Sequence, residues 1–146
     1  MMKRRGLLRF GLLAGTAGLV TTRMAHAEPA AAQADRAGGV YLTEENPGRW
    51  RRKINSHLPL IEATTVGQKT EVLVTTRHAF TGYRHYIIKH VLLDENYRFL
   101  DEHFFDPETD DKAVSRFQLE EIYQGVVHAL SVCNRHDVWL ASHRML

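Results

Sequence analysis

A single cysteine, Cys133, occurs in 146 residues. That excludes an internal disulfide framework and any multi-cysteine zinc or iron–sulfur cluster built within one subunit. No apolar run approaches the roughly 20 residues a membrane-spanning helix needs; the best, after Arg9, is about ten. The first 27 residues lack any acidic side chain, and no internal repeat is visible. What is present is ordinary for one globular domain: 44% hydrophobic and 25% charged residues. Nine histidines are the exception.

The formal charge of +2 belongs to one end. Residues 1–27 hold Lys3, Arg4, Arg5, Arg9 and Arg23, leaving 14 Lys and Arg against 17 Asp and Glu over the other 119 residues, a net −3. The basic pI is therefore no argument for nucleic acid or an anionic membrane as partner. A charged start, an apolar stretch from Gly6 to Val20 and small residues at Ala25-His26-Ala27 follow the plan of an export signal. Arg4-Arg5-Gly6-Leu7-Leu8-Arg9 resembles the twin-arginine motif, which carries folded and often cofactor-loaded proteins. Residues 1–27 are thus expected to be a cleaved signal and the mature protein to be periplasmic, with no stable membrane span. Residues 28–48, rich in Ala, Gly and small polar groups, are expected to be a flexible tail that packs little. Residues 49–146 are expected to form the domain.

That domain reads as all-β. Glu71–Thr76, His85–Leu93, Arg116–Glu120 and Gly125–Cys133 are β-rich or alternate with period two, and the turn-forming runs Gly67-Gln68, Asp94–Asn96, Asp106–Glu108 and Asp110–Lys112 separate them. Short strands with turns between them favour an antiparallel β-sandwich. A helix over Leu119–Leu130 is the alternative, weakened by Gly125 and the paired valines.

Strand ends and loops then carry His57, His78, His85, Cys133 and His136. Each alone is a weak signal, but a Cys with a His three residues on suits a metal. A cupredoxin-type copper carrier is a competing reading, since such sites take a Cys, two His and a weak axial Met. Position 141, where that Met is expected, is Ala, and Met145 lies beyond.

Three segments in order make the pattern specific: His57-Leu58-Pro59-Leu60-Ile61, then His78 through His85-Tyr86-Ile87, then Cys133-Asn134-Arg135-His136-Asp137-Val138-Trp139. From about residue 50 to 140 they resemble the iron domain of superoxide reductases, the family of neelaredoxin and the catalytic half of desulfoferrodoxin. The resemblance implies an immunoglobulin-like β-sandwich and one mononuclear non-haem iron, with His57, His78, His85 and His136 equatorial and Cys133 axial. It also implies superoxide as substrate, hydrogen peroxide as product and an outside electron donor. With no second cysteine group, the rubredoxin-like iron domain of desulfoferrodoxin is missing. Self-association into a homo-oligomer is left open.

The departures are informative. The family often has Glu-Lys directly before its first histidine; here Asn55 and Ser56 stand there. Lys53, Arg77 and Arg84 are the candidates to supply a cation instead. Ala79-Phe80 replaces Pro-Met, with one extra residue before His85. Asp137 replaces a glycine and is expected either to serve the turn or to orient an imidazole. These losses favour a second possibility, an iron-binding electron-transfer or sensing module without efficient superoxide reduction. His90 and His128 are expected within strands, His103 in an acidic loop and His143 near the terminus, all structural or solvent-exposed. Trp50 and Trp139 are expected to be core or rim aromatics.

Overall fold

A computed structural model describes residues 36–145. Residues 1–27, expected to be an export signal, and residues 28–35 of the expected tail lie outside the described residues. Burial with period two builds the strands, because successive side chains point to opposite faces. Strand β1 is Leu60–Val66, β2 Lys69–Ala79, β3 Ile87–Leu93, β4 Phe99–Phe104, β5 Lys112–Leu119, β6 Gly125–Cys133 and β7 Val138–Met145. All pair antiparallel, in a three-stranded sheet of order β1-β2-β5 and a four-stranded sheet of order β4-β3-β6-β7. The expected sandwich is therefore present. Among the described residues no helix is long and apolar enough to cross a membrane.

The inner faces of four strands are layered. β2 buries Val72 and Val74, then Thr76, then His78; β6 buries Val127 and Ala129, then Ser131, then Cys133. β5 runs inward from Phe117 through Ser115 to Ala113, and β3 from Leu92 through His90 to Ile87. One apolar cluster gathers Ile61, Val72, Val74, Leu92, Phe117, Val127 and Ala129, and a second gathers Ile87, Phe105, Ala113 and Cys133. Between them lies a polar layer of Thr76, His90, Ser115 and Ser131. Thr76 donates to Ser131 Oγ at 2.9 Å, while the His90 ring nitrogens lie 2.9 Å from Thr76 Oγ1 and 2.8 Å from Ser115 Oγ.

Residues 119–130 hold no helix; β5 ends at Leu119 and β6 begins at Gly125, as the strand reading expects. Three details differ from the sequence expectations. The strand expected from His85 starts at Ile87, so His85 and Tyr86 stay in the preceding turn. His103 sits in β4, opposite His90, rather than in a loop. The segment 28–48 is not all loosely packed: Leu42 is 2% exposed, donates its N–H to Val138 O and accepts from Leu140 N–H, both at 2.8 Å. It thereby covers the free edge of β7, and an edge left bare would invite pairing with another chain.

Candidate metal centre

Each donor is set in place by a different local device. Residues Gly48–Lys53 form a 3-10 helix that runs into a single α-helical turn, α1, Ile54–His57, which ends on His57. The inward alternation of β2 delivers His78, and the turn before β3 delivers His85. Cys133 is the last residue of β6, and Cys133 N–H donates to Asp137 O at 3.1 Å, closing the hairpin that holds His136.

The five side chains converge, with one donor atom from each lying within 4.8 Å of all the others. His57 Nε2 is 2.9 Å from His136 Nδ1, which is 2.8 Å from His85 Nε2, which is 2.9 Å from His78 Nε2. Neighbouring rings stand edge to face, with interplanar angles of 67–87°. Across the group, His57 and His85 are 5.8 Å apart and closer to parallel, at 26°. Three successive nitrogen–nitrogen edges of 2.8–2.9 Å, with all donors within 4.8 Å of one another, fit a square arrangement. A square of that edge has its corners about 2.0–2.1 Å from its centre, the ordinary metal–imidazole distance. Cys133 Sγ, 3.6 Å from His136 Nδ1 and 4.0 Å from His78 Nε2, caps one side.

The tautomers suit this. Ser56 Oγ donates to Lys53 O at 3.2 Å, so it is left to accept from His57 Nδ1–H at 2.8 Å. That puts the His57 lone pair on Nε2, facing the centre. His78 Nδ1 is buried with no hydrogen-bond partner, so the polar contacts of that ring are on its Nε2 side. Burial, followed by the neighbouring imidazoles, pushes His57 down to about 3 and His78 to about 4. Burial also lowers His85 and His136. Burial raises the Cys133 thiol, against the opposing pull of the Arg135 and His136 N–H groups. The donor set is therefore four neutral imidazoles and a thiol.

Four nitrogens and one sulfur exceed the four ligands of a structural zinc, and suit iron one donor short of octahedral. Convergence of four imidazoles leaves the two-histidine copper reading without support. Of the five residues only His85 is not buried, so solvent reaches the group by way of that ring. The cations that lower His85 are Arg135 and Lys53. Lys53 also acts on His78 and His136. Arg77 alternates to the outer side of β2, away from His78, and Arg84 is exposed in the turn beside His85. Asp137 makes no hydrogen bond to an imidazole, although its charge opposes the lowering of His136; it accepts from Trp50 Nε1 and Arg49. Trp139 is buried and donates to His136 O at 2.8 Å.

Sequence reasoning missed Ser56, Arg135 and the Arg49–Trp50 pair. Ser56 had one signal, a hydroxyl adjoining a ligand; Arg49 and Asp137, 88 residues apart, had none.

A desulfoferrodoxin family model matches residues 49–142. A variant of superoxide reductase (neelaredoxin) from Ignicoccus hospitalis is 25% identical, with 74% of this chain and 94% of that one covered at a TM-score of 0.64. A neelaredoxin variant from Archaeoglobus fulgidus in its reduced form is 21% identical, covering 64% and 91% at a TM-score of 0.53. No curated protein matches the sequence.

Proposed function

The chain belongs to the desulfoferrodoxin family, and from that premise we propose that it is an exported superoxide reductase, using one mononuclear iron to reduce superoxide to hydrogen peroxide. The carrying observation is the square of imidazole nitrogens with a thiol sulfur on one side. Reduction of superoxide to hydrogen peroxide takes one electron and two protons; ferrous iron would supply the electron when bound, and an external reductant would restore it. His57, His78, His85, His136 and Cys133 would hold the ion.

The protein's own groups shape how substrate arrives. An anion approaching by His85 meets the field of Lys53 and Arg135, with Arg84 in the same turn. Cations converging on a partly desolvated site raise the local concentration of an anionic substrate. Lys53 is the strongest of the three cations read from the sequence, because it acts on three of the four imidazoles. Arg135 also favours the thiolate of Cys133. Export through the twin-arginine pathway to the periplasm rests on Arg4-Arg5 and the small-residue site after it. Changing both arginines to lysine is expected to keep the protein in the cytoplasm.

The deciding experiment mixes iron-loaded protein with superoxide and follows oxygen and peroxide together. Stoichiometric peroxide without oxygen evolution, and a visible thiolate-to-ferric band after oxidation, are the expected results. A colourless oxidised iron protein would overturn the proposal. Asn55-Ser56, standing in place of Glu-Lys, favours the second reading. Slow superoxide turnover with quick redox cycling would assign the protein to electron transfer or sensing.

A further inference from the structure

His136 is held by its ring nitrogen at the centre and by its carbonyl, which accepts from Trp139. A third contact comes from outside. The Trp50 indole meets the His136 ring edge to face, with centroids 4.5 Å apart at 90°. Trp50 lies at a kink of the 3-10 helix, with φ −107° and ψ 25°; its backbone N–H donates to Pro47 O at 2.9 Å, which fixes the backbone but not the indole. Its Nε1–H donates instead to Asp137 Oδ2 at 2.8 Å. The same carboxylate accepts from Arg49 Nη2, at 2.8 Å to Oδ2 and 3.1 Å to Oδ1. The Arg49 guanidinium in turn stands 5.2 Å from the Trp50 ring centroid. Asp137 adopts φ +62°, a left-handed conformation that glycine takes without penalty and aspartate only at a cost. The side chain's bonds offset that cost.

We propose that Asp137, Trp50 and Arg49 form a clamp that positions His136 from outside the metal centre, with Asp137 acting on the imidazole through the indole. The clamp rests on reading the five-residue group as a metal centre, but not on superoxide as its substrate. Without Asp137 the indole loses its anchor, and the His136 ring loses the face that limits its rotation. The consequence is a looser donor at one corner of the square.

The test uses cobalt(II), whose visible bands report ligand geometry, and follows its release to a chelator. Asp137→Gly removes the carboxylate while suiting the backbone, so the protein is expected to fold. Its cobalt release should be about three- to tenfold faster, below the range for deleting a partner bonded directly to a ligand, with shifted visible bands. Asp137→Asn keeps an acceptor for the indole N–H and tolerates the same φ, so it should stay within about twofold of the parent. Trp50→Phe should resemble Asp137→Gly, and combining the two should add little, as expected of groups acting as one unit. If Asp137→Gly releases cobalt at the parent's rate with an unchanged spectrum, or the two effects simply add, the clamp is refuted. If the parent itself binds no cobalt, the metal centre fails and the clamp with it.

Discussion

At neutral pH the five donors do not start from the same protonation state. Burial lowers all four imidazoles, helped by neighbouring imidazoles at His57, His78 and His136 and by Arg135 and Lys53 at His85, so their lone pairs are already free. Cys133 is the opposite case, because burial raises the thiol and a metal must displace its proton. Metal uptake at pH 7–8 is therefore expected to release about one proton. Affinity should fall about tenfold for each pH unit lost below the thiol's range, since acid competes for the sulfur. Cobalt titrations in buffers of different ionisation enthalpy count the protons, and Cys133→Ser should abolish the release. Two or more protons at pH 7.5 would mean that the imidazoles are charged in the empty centre.

Strands set those donors through the layer beneath them. His90 Nε2–H donates to Thr76, whose own proton goes to Ser131, and Ser115 donates to His90 Nδ1; the ring is neutral and satisfied on both sides. Thr76→Val strands two of these groups in the interior and should cost about 1–3 kcal/mol in urea denaturation. The same burial, aided by the His103 charge, pushes His90 down to about 3. As pH falls below the ordinary histidine value of about 6.5, the unfolded chain takes up this proton first, so acid favours unfolding. The contribution is complete above that value and disappears towards pH 3. His90→Asn should make the stability-versus-pH slope shallower by about one proton between pH 6 and 4; an unchanged slope would show that His90 does not titrate on unfolding. Elements such as β2 and β5 were legible in the sequence because one face of each is buried and alternates, and β6 because it is rich in valine. β4 was not, because its polar run Asp101-Glu102-His103 carries the composition of a loop. The donors were legible because imidazole and thiolate in ordered segments have few other uses together. Their supports were not, because Trp50 meets Asp137 only after the chain has closed on itself.

Across the whole molecule the donors come from separate parts of the fold. His78 belongs to the three-stranded sheet, Cys133 to the four-stranded sheet, His136 to the turn between β6 and β7, and His57 to α1 ahead of both sheets. A metal bound there exists only in the folded chain, so it stabilises the fold by about 4 kcal/mol at a free concentration a thousand times Kd. Stripping it should lower Tm markedly. The segment around Leu42 takes part in the same linkage. Leu42 straddles Trp139, and Trp139 donates to His136 O. Leu42→Ala should cost about 2–5 kcal/mol in the stripped protein, the usual range for emptying a buried leucine site. Because the lost packing also loosens the hairpin holding Cys133 and His136, the variant should bind metal more weakly. The stability gap between loaded and stripped protein should therefore be smaller in Leu42→Ala than in the parent, when both are denatured at one fixed free-metal concentration. An identical gap would show that the N-terminal segment only protects the sheet edge and has no part in holding the centre.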